Sequence, residues 1–217
     1  GLCRYYLYAN EYENGLNEAL KHLRFYSEEE KAIACAAECL SQMDDKKIER
    51  YLTELDENFR RLLLENTFEK KSNVKAVALA LSVIYQKEKR MDEFAAKVYL
   101  SALPYDKFNT DLLTLLSNYY RIRGDEESAI RHDIEIFRIC RCECGVYSSK
   151  GKKAPPQKNC SGACMRIARH ILSTSKVIAD GREILRCAWR SGDKSPKLIR
   201  RLAAYYFDED SHSEEAI

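Results

Sequence analysis

Five of the chain's nine cysteines fall between residues 140 and 164, in the stretch CRCECGVYSSKGKKAPPQKNCSGAC. The spacing is Cys140-x-Cys142-x-Cys144, then fifteen residues, then Cys160-x3-Cys164. Zinc takes four thiolate or imidazole ligands in a tetrahedron, and a close early pair with a second pair beyond a loop meets that demand. The simplest ligand set is Cys142, Cys144, Cys160 and Cys164 around one structural Zn2+. Cys140 is a substitute for either early ligand and His170 for a late one. Cys160 and Cys164 stand one helical turn apart and share a face if a helix begins there. Gly145 and Gly162 suit the tight turns of a metal knuckle. The doubled CxxC knuckle is absent, so a disulfide or redox pair and plain unligated thiols remain alternatives.

Between these cysteines the chain is rich in lysine and has no acid from Cys144 to Cys164. Lys150, Lys152, Lys153 and Lys158 occupy the loop, and Arg138, Arg141, Arg166 and Arg169 flank it. Such cations hold phosphates through charge, with little reading of base sequence. The expected nucleic-acid contacts are therefore Arg141, Lys150, Lys152, Lys153, Lys158, Arg166 and Arg169. Tyr147 adds one ring able to stack on a base. Farther on, Arg182, Arg186 and Arg190 recur at helical spacing and form a basic ridge. The formal net charge of +2 conceals this polarity. Residues 1–130 carry 19 Lys and Arg against 23 Asp and Glu, residues 131–206 carry 17 against 6, and residues 207–217 add five acids. A basic segment beside a mildly acidic body calls for an anionic partner, RNA or an acidic protein surface.

The elements that must carry these residues read as helices throughout. Ser27–Leu40 opens on a serine followed by three acids, a helix start that caps free amides and opposes the dipole. Lys47–Asn66 places Ile48, Tyr51, Leu52, Leu55, Phe59 and Leu62 at three- and four-residue spacing, an amphipathic stripe. Asn73–Glu88 is apolar on most sides and should be central. No stretch gives a convincing run of strands.

A period of 34 residues runs through the middle. Leu79, Leu81, Tyr85 and Ala95 recur as Leu113, Leu115, Tyr119 and Ala129. Fainter echoes lie at Tyr12–Leu20 and at Leu198–Ile217, which mirrors Leu112–Ile130. The pattern Leu116, Tyr120, Gly124-Asp125, Ala129-Ile130 resembles the tetratricopeptide repeat, a helix–turn–helix unit. An aromatic plugs the hairpin, glycine turns the chain and a small alanine lets the helices touch. Ser117 stands where that family usually has glycine, and Asp133 and Ile136 where it has an aromatic and a small residue. The resemblance implies an all-α, tetratricopeptide-like array that binds proteins or joins assemblies. Three segments follow: a helical hairpin array over 1–139, a Cys-rich basic zinc-binding insertion over 140–164, and basic C-terminal hairpins over 165–217.

No P-loop, dinucleotide fingerprint, zincin motif or nucleophile elbow is present, so the expectation is a protein without catalysis. The four histidines are scattered and read as ordinary surface or core residues. Cys35 and Cys39, one turn apart on an alanine-rich helix, read as small apolar core residues. Reduced thiols in the cytoplasm, with the nucleus as alternative, are expected from the odd cysteine count and the chain's size. No apolar run approaches the length of a membrane span.

The functional expectation is a non-catalytic factor associated with RNA or a ribonucleoprotein particle such as the ribosome, its helical array docking on protein. A peptide-binding protein–protein adaptor is the alternative, and a zinc- or thiol-dependent enzyme or redox switch is the third reading.

Overall fold

A computed structural model describes residues 2–25, 30–55, 57–143, 158–174 and 180–210. Among the described residues there are twelve helices and no strand. They fall into two compact units, Gly1–Lys107 and Phe108–Ile217. This division comes earlier than the one at residue 139 read from the cysteine spacing.

The first unit holds α1 (Leu2–Tyr8), α2 (Tyr12–Leu23), α3 (Glu30–Ser41), α4 (Asp45–Glu54), α5 (Glu57–Lys70), α6 (Lys75–Glu88) and α7 (Glu93–Ala102). The α1, α2 and α3 helices pack on one another, α3 leans on α5, and α6 joins α4, α5 and α7. Side-chain caps set several starts. Asp44 accepts from the Lys47 amide at 3.0 Å and Asp92 from the Ala95 amide at 2.9 Å, each satisfying an otherwise orphaned helical N–H.

The stripe expected as one helix over Lys47–Asn66 is two helices. Leu55 takes an extended conformation (φ −90°, ψ 145°), and the Arg60 guanidinium donates to its freed carbonyl at 2.7 Å. The break resets the helical phase. Leu63, Leu64 and Phe68 enter the core of the second piece, while Leu62 is left exposed. The Asn73–Glu88 stretch is central as expected, with Val77, Leu81 and Tyr85 fully buried, although Val83 faces solvent.

The second unit holds α8 (Thr110–Ile122), α9 (Glu126–Glu143), α10 (Lys158–Thr174), α11 (Gly181–Arg190) and α12 (Pro196–Asp210). A short turn joins α8 to α9. Gly124 sits in it at φ +79°, where an L side chain is strained, and Asp125 caps α9 by accepting from the Ser128 amide at 3.0 Å. Ala95 and Ala129, the small residues of the 34-residue period, are both fully buried. The Tyr85 hydroxyl donates to Glu65 at 2.5 Å, and Tyr119 is buried at the equivalent place in the second copy. Ile130, Phe137, Ile167, Ile171, Ile184, Leu185 and Leu198 form a core shared by α9, α10, α11 and α12.

Among the described residues, no helix is long and apolar enough to cross a membrane.

Candidate functional site: two thiol clusters and a basic turn

Helix packing gathers the cysteines differently from the spacing argument. In the first unit α1 crosses α3, and a disulfide joins Cys3 to Cys35 with Cα atoms 6.5 Å apart. Cys39, one turn along α3, completes a group in which the three sulfurs lie within 4.8 Å of one another, close enough to bind a metal. Cys39 is fully buried and Cys35 nearly so, whereas Cys3 is half-buried. Burial, helped by the neighbouring Glu38 charge, pushes the Cys39 thiol up to about 11. The α2 helix closes over this group at Gly15. A β-carbon there would stand 2.8 Å from the Cys39 sulfur and 3.3 Å from Tyr6 Cβ, so only glycine fits. The geometry described is that of the oxidised pair, with Cys39 beside the Cys3–Cys35 disulfide. Reading Cys35 and Cys39 as mere core filler missed this, because Cys3 is 32 residues away in sequence and only the fold brings it near.

The second unit joins Cys140 at the end of α9 to Cys160 in the first turn of α10, across a separation of 20 residues. A covalent loop of that size contributes about 3 kcal/mol by restricting the unfolded chain. Asn159 reinforces the placement by donating to Thr110 Oγ1 at 3.2 Å and Asp111 Oδ1 at 2.6 Å, which ties α10 to α8. Cys164, one turn on, is fully buried and meets Cys187 of α11. Of the expected zinc ligands, then, Cys160 is bonded to Cys140 and Cys164 faces Cys187. Cys142 lies in the last turn of α9 with its side chain outside the described residues, and Cys144 lies outside them altogether. His170 is six residues beyond Cys164 on α10, about 9 Å along the axis. Where reduced thiols and a zinc set were expected, two disulfides stand, because helix crossings bring Cys3 to Cys35 and Cys140 to Cys160.

The Cys164–Cys187 pair titrates as a unit. The hydrogen bond from the Cys164 thiol favours the Cys187 thiolate, with further help from the Arg190 charge, and lowers Cys187 to about 7; Cys164 is driven up. Thiolate is the reactive form, so alkylation at Cys187 should rise about tenfold from pH 6 to pH 8 and then level off. Peptide-resolved mass spectrometry after brief iodoacetamide pulses reads this directly. A rate at Cys187 still climbing steeply above pH 9 would contradict the assignment.

The basic residues divide into structural and exposed sets. Arg166 turns inward. Its Nε and Nη2 donate to the Asp133 carboxylate at 3.0–3.1 Å and 2.6 Å, Arg121 Nη2 donates to the same group at 3.0 Å, and the Ser117 hydroxyl donates at 2.9 Å. Asp133 has no solvent exposure. Arg169 is exposed on α10. Lys150, Lys152 and Lys153 lie outside the described residues, as do the side chains of Arg141 and Lys158. A cationic group that the spacing argument valued less lies where α11 turns into α12. Arg186, Arg190, Lys194, Lys197 and Arg200 are all exposed there. Arg186, Arg190 and Lys197 pair with no carboxylate among the described residues. In their midst Trp189 is 44% exposed, with the Lys194 ammonium 3.6 Å from its ring centroid and donating to its backbone carbonyl at 2.6 Å. Two acids, Glu183 and Asp193, lie on the same stretch, and Asp193 is engaged by the Ser195 amide at 2.9 Å. The sequence signal was available: Arg186, Trp189, Arg190, Lys194 and Lys197 follow one another at helical and turn spacing.

The chain matches no family model, and no curated protein or solved structure is significantly similar to it.

Proposed function

We propose that this chain is a non-catalytic, RNA- or ribonucleoprotein-associated factor of the cytoplasm, a tetratricopeptide-like array of helical hairpins that meets nucleic acid through its second unit. The observation that carries the reading is the exposed cationic turn between α11 and α12, with Trp189 at its centre. Unpaired guanidinium and ammonium groups attract phosphates without distinguishing bases. The indole is 44% exposed; the Lys194 ammonium lies over one face of the ring, and a base stacks on the ring surface that Lys194 leaves open. Arg169 is exposed on α10 of the same unit, and the sequence adds Lys150, Lys152, Lys153 and Lys158 to that unit's positive charge. Together these favour single-stranded or looped RNA, including that of a large particle such as the ribosome, over a rigid duplex, because stacking needs a base free of its neighbours.

The test is fluorescence-anisotropy titration of the intact chain against a labelled single-stranded RNA over a series of salt concentrations. The logarithm of affinity should fall linearly with the logarithm of salt, with a slope of about −0.7 per phosphate engaged on a single strand. Binding indifferent to salt, or no binding at low salt, sinks the reading. Retention of a cellular partner after nuclease digestion would instead favour a protein adaptor.

A further inference from the structure

We propose that Cys3, Cys35 and Cys39 form, on reduction, a three-thiolate zinc site with an open fourth position, separate from the basic surface of the other unit. Their sulfurs already lie within 4.8 Å of one another. Three sulfurs each about 2.3 Å from one ion stand about 4 Å apart, so on reduction the bonded Cys3 and Cys35 sulfurs must separate to that distance, while Cys39 already lies within 4.8 Å of both.

The framework around them is fixed. Cys35 and Cys39 project from one face of α3 one turn apart, α1 brings Cys3 across, and α2 seals the group where Gly15 leaves room for a hydrogen and nothing larger. Charge selects the ion. Three thiolates around Zn2+ leave a net charge of −1, whereas a monovalent copper ion would leave −2 in a largely buried place, where uncompensated charge is costly. No histidine or carboxylate joins the group among the described residues. Glu38, the nearest acid on α3, is turned to Lys70 at 3.0 Å. The fourth ligand is therefore water or a partner's donor. It enters on the side of Cys3, the least buried of the three. Zinc sites with three protein ligands and one exchangeable position are the reactive kind.

Two steps connect the states. The Cys3–Cys35 bond accepts two electrons and two protons from a dithiol reductant, which leaves as its own disulfide. The three thiols then bind one Zn2+ and release three protons. Oxidation of Cys3 and Cys35 removes two ligands at once, so the site is loaded only when reduced.

The experiment uses the full chain, reduced anaerobically, with one equivalent of Zn2+ as the probe. Thiol alkylation is followed peptide by peptide, so the other cysteines do not confuse the reading. Zinc should slow alkylation of Cys3 and Cys35 by at least tenfold, and the oxidised chain should show no such uptake at these residues. Cys39→Ser should abolish the protection of Cys3 and Cys35. Cys3→Ser, at the least buried position, should do the same for Cys35 while circular dichroism confirms the helices. Equal alkylation with and without zinc overturns the proposal, as does protection that survives both substitutions in folded protein. Protection by monovalent copper but not by zinc also overturns the choice of ion.

Discussion

Replacing Asp133 by alanine should destabilise the second unit by about 3 kcal/mol, the largest effect of any single polar substitution in that unit. The carboxylate is fully buried and serves three donors at once: Ser117, Arg121 and Arg166. Its removal strands the Arg166 guanidinium beside an apolar core and leaves Arg121 with Glu126, at 3.5 Å, as its remaining carboxylate. Arg166 and Arg121 keep 24% and 29% of their side-chain exposure, so they recover part of their hydration, which puts the cost at the low end of the range for a broken buried pair. For a unit of this size the shift in midpoint is about 10 °C, measured by thermal unfolding followed by circular dichroism. Ser117→Ala should cost only about 1–2 kcal/mol, the loss of the bond donated to Asp133 and the longer one accepted from Arg121 at 3.3 Å. The sign of a compound variant is more telling. Asp133→Leu together with Arg166→Met removes the charges in pairs and should recover most of the stability, because a buried ion pair stabilises little over apolar residues of similar size. If Asp133→Ala unfolds at the parent temperature, the network is not structural and Arg166 is free to bind elsewhere.

That network also explains a mismatch in the sequence. Ser117 and Asp133, two of the three positions (with Ile136) at which the chain departs from the pattern it resembles, are partners across the α8–α9 hairpin. A glycine and an aromatic would pack there; a serine and an aspartate hydrogen-bond there instead, and Arg166 arrives from α10 to balance the charge. The pattern of Tyr119, Gly124 and Ala129 was readable because each acts through its own backbone or its nearest helix. The same holds for the helical character of α6, whereas the caps at Asp44 and Asp92 were not read and the start read at Ser27 lies outside the described residues. What could not be read depends on contacts distant in the chain. The break at Leu55 is invisible in a stripe that continues at the right spacing, because it is settled by which face of α5 meets α3 and α6. The Cys3–Cys35 bond is hidden for the same reason. Cysteine density in residues 140–164 drew attention to one cluster, while a sparser trio, joined by a helix crossing and sealed by Gly15, was passed over. Charge, by contrast, was legible as a regional excess but not residue by residue. Arg166 belongs to the excess by count and to the core by position.

Reversing three charges at the α11–α12 turn, Arg186→Glu, Arg190→Glu and Lys197→Glu, should weaken RNA binding about a hundredfold at moderate salt and flatten the salt dependence. Each cation that neutralises a phosphate releases counterions, and losing it lowers the slope by about 1 or slightly less. Three losses therefore predict a slope smaller by about 2, with repulsion from the new carboxylates adding to the drop in affinity. Stability should barely change, since the three side chains are exposed and hold no carboxylate among the described residues. The stacking contribution is separable. Trp189→Ala removes a half-exposed ring. It should cost one base-stacking contact, about 1–3 kcal/mol, and leave the salt slope unchanged, because no charge is altered. The two variants thus move different observables: one the slope, the other the intercept. A control that reverses Lys87, Lys89 and Lys97 in the first unit alters net charge by the same amount and should leave both in place. If that control weakens binding as much as the turn variant does, the attraction belongs to the molecule's overall charge and the α11–α12 turn is no binding site.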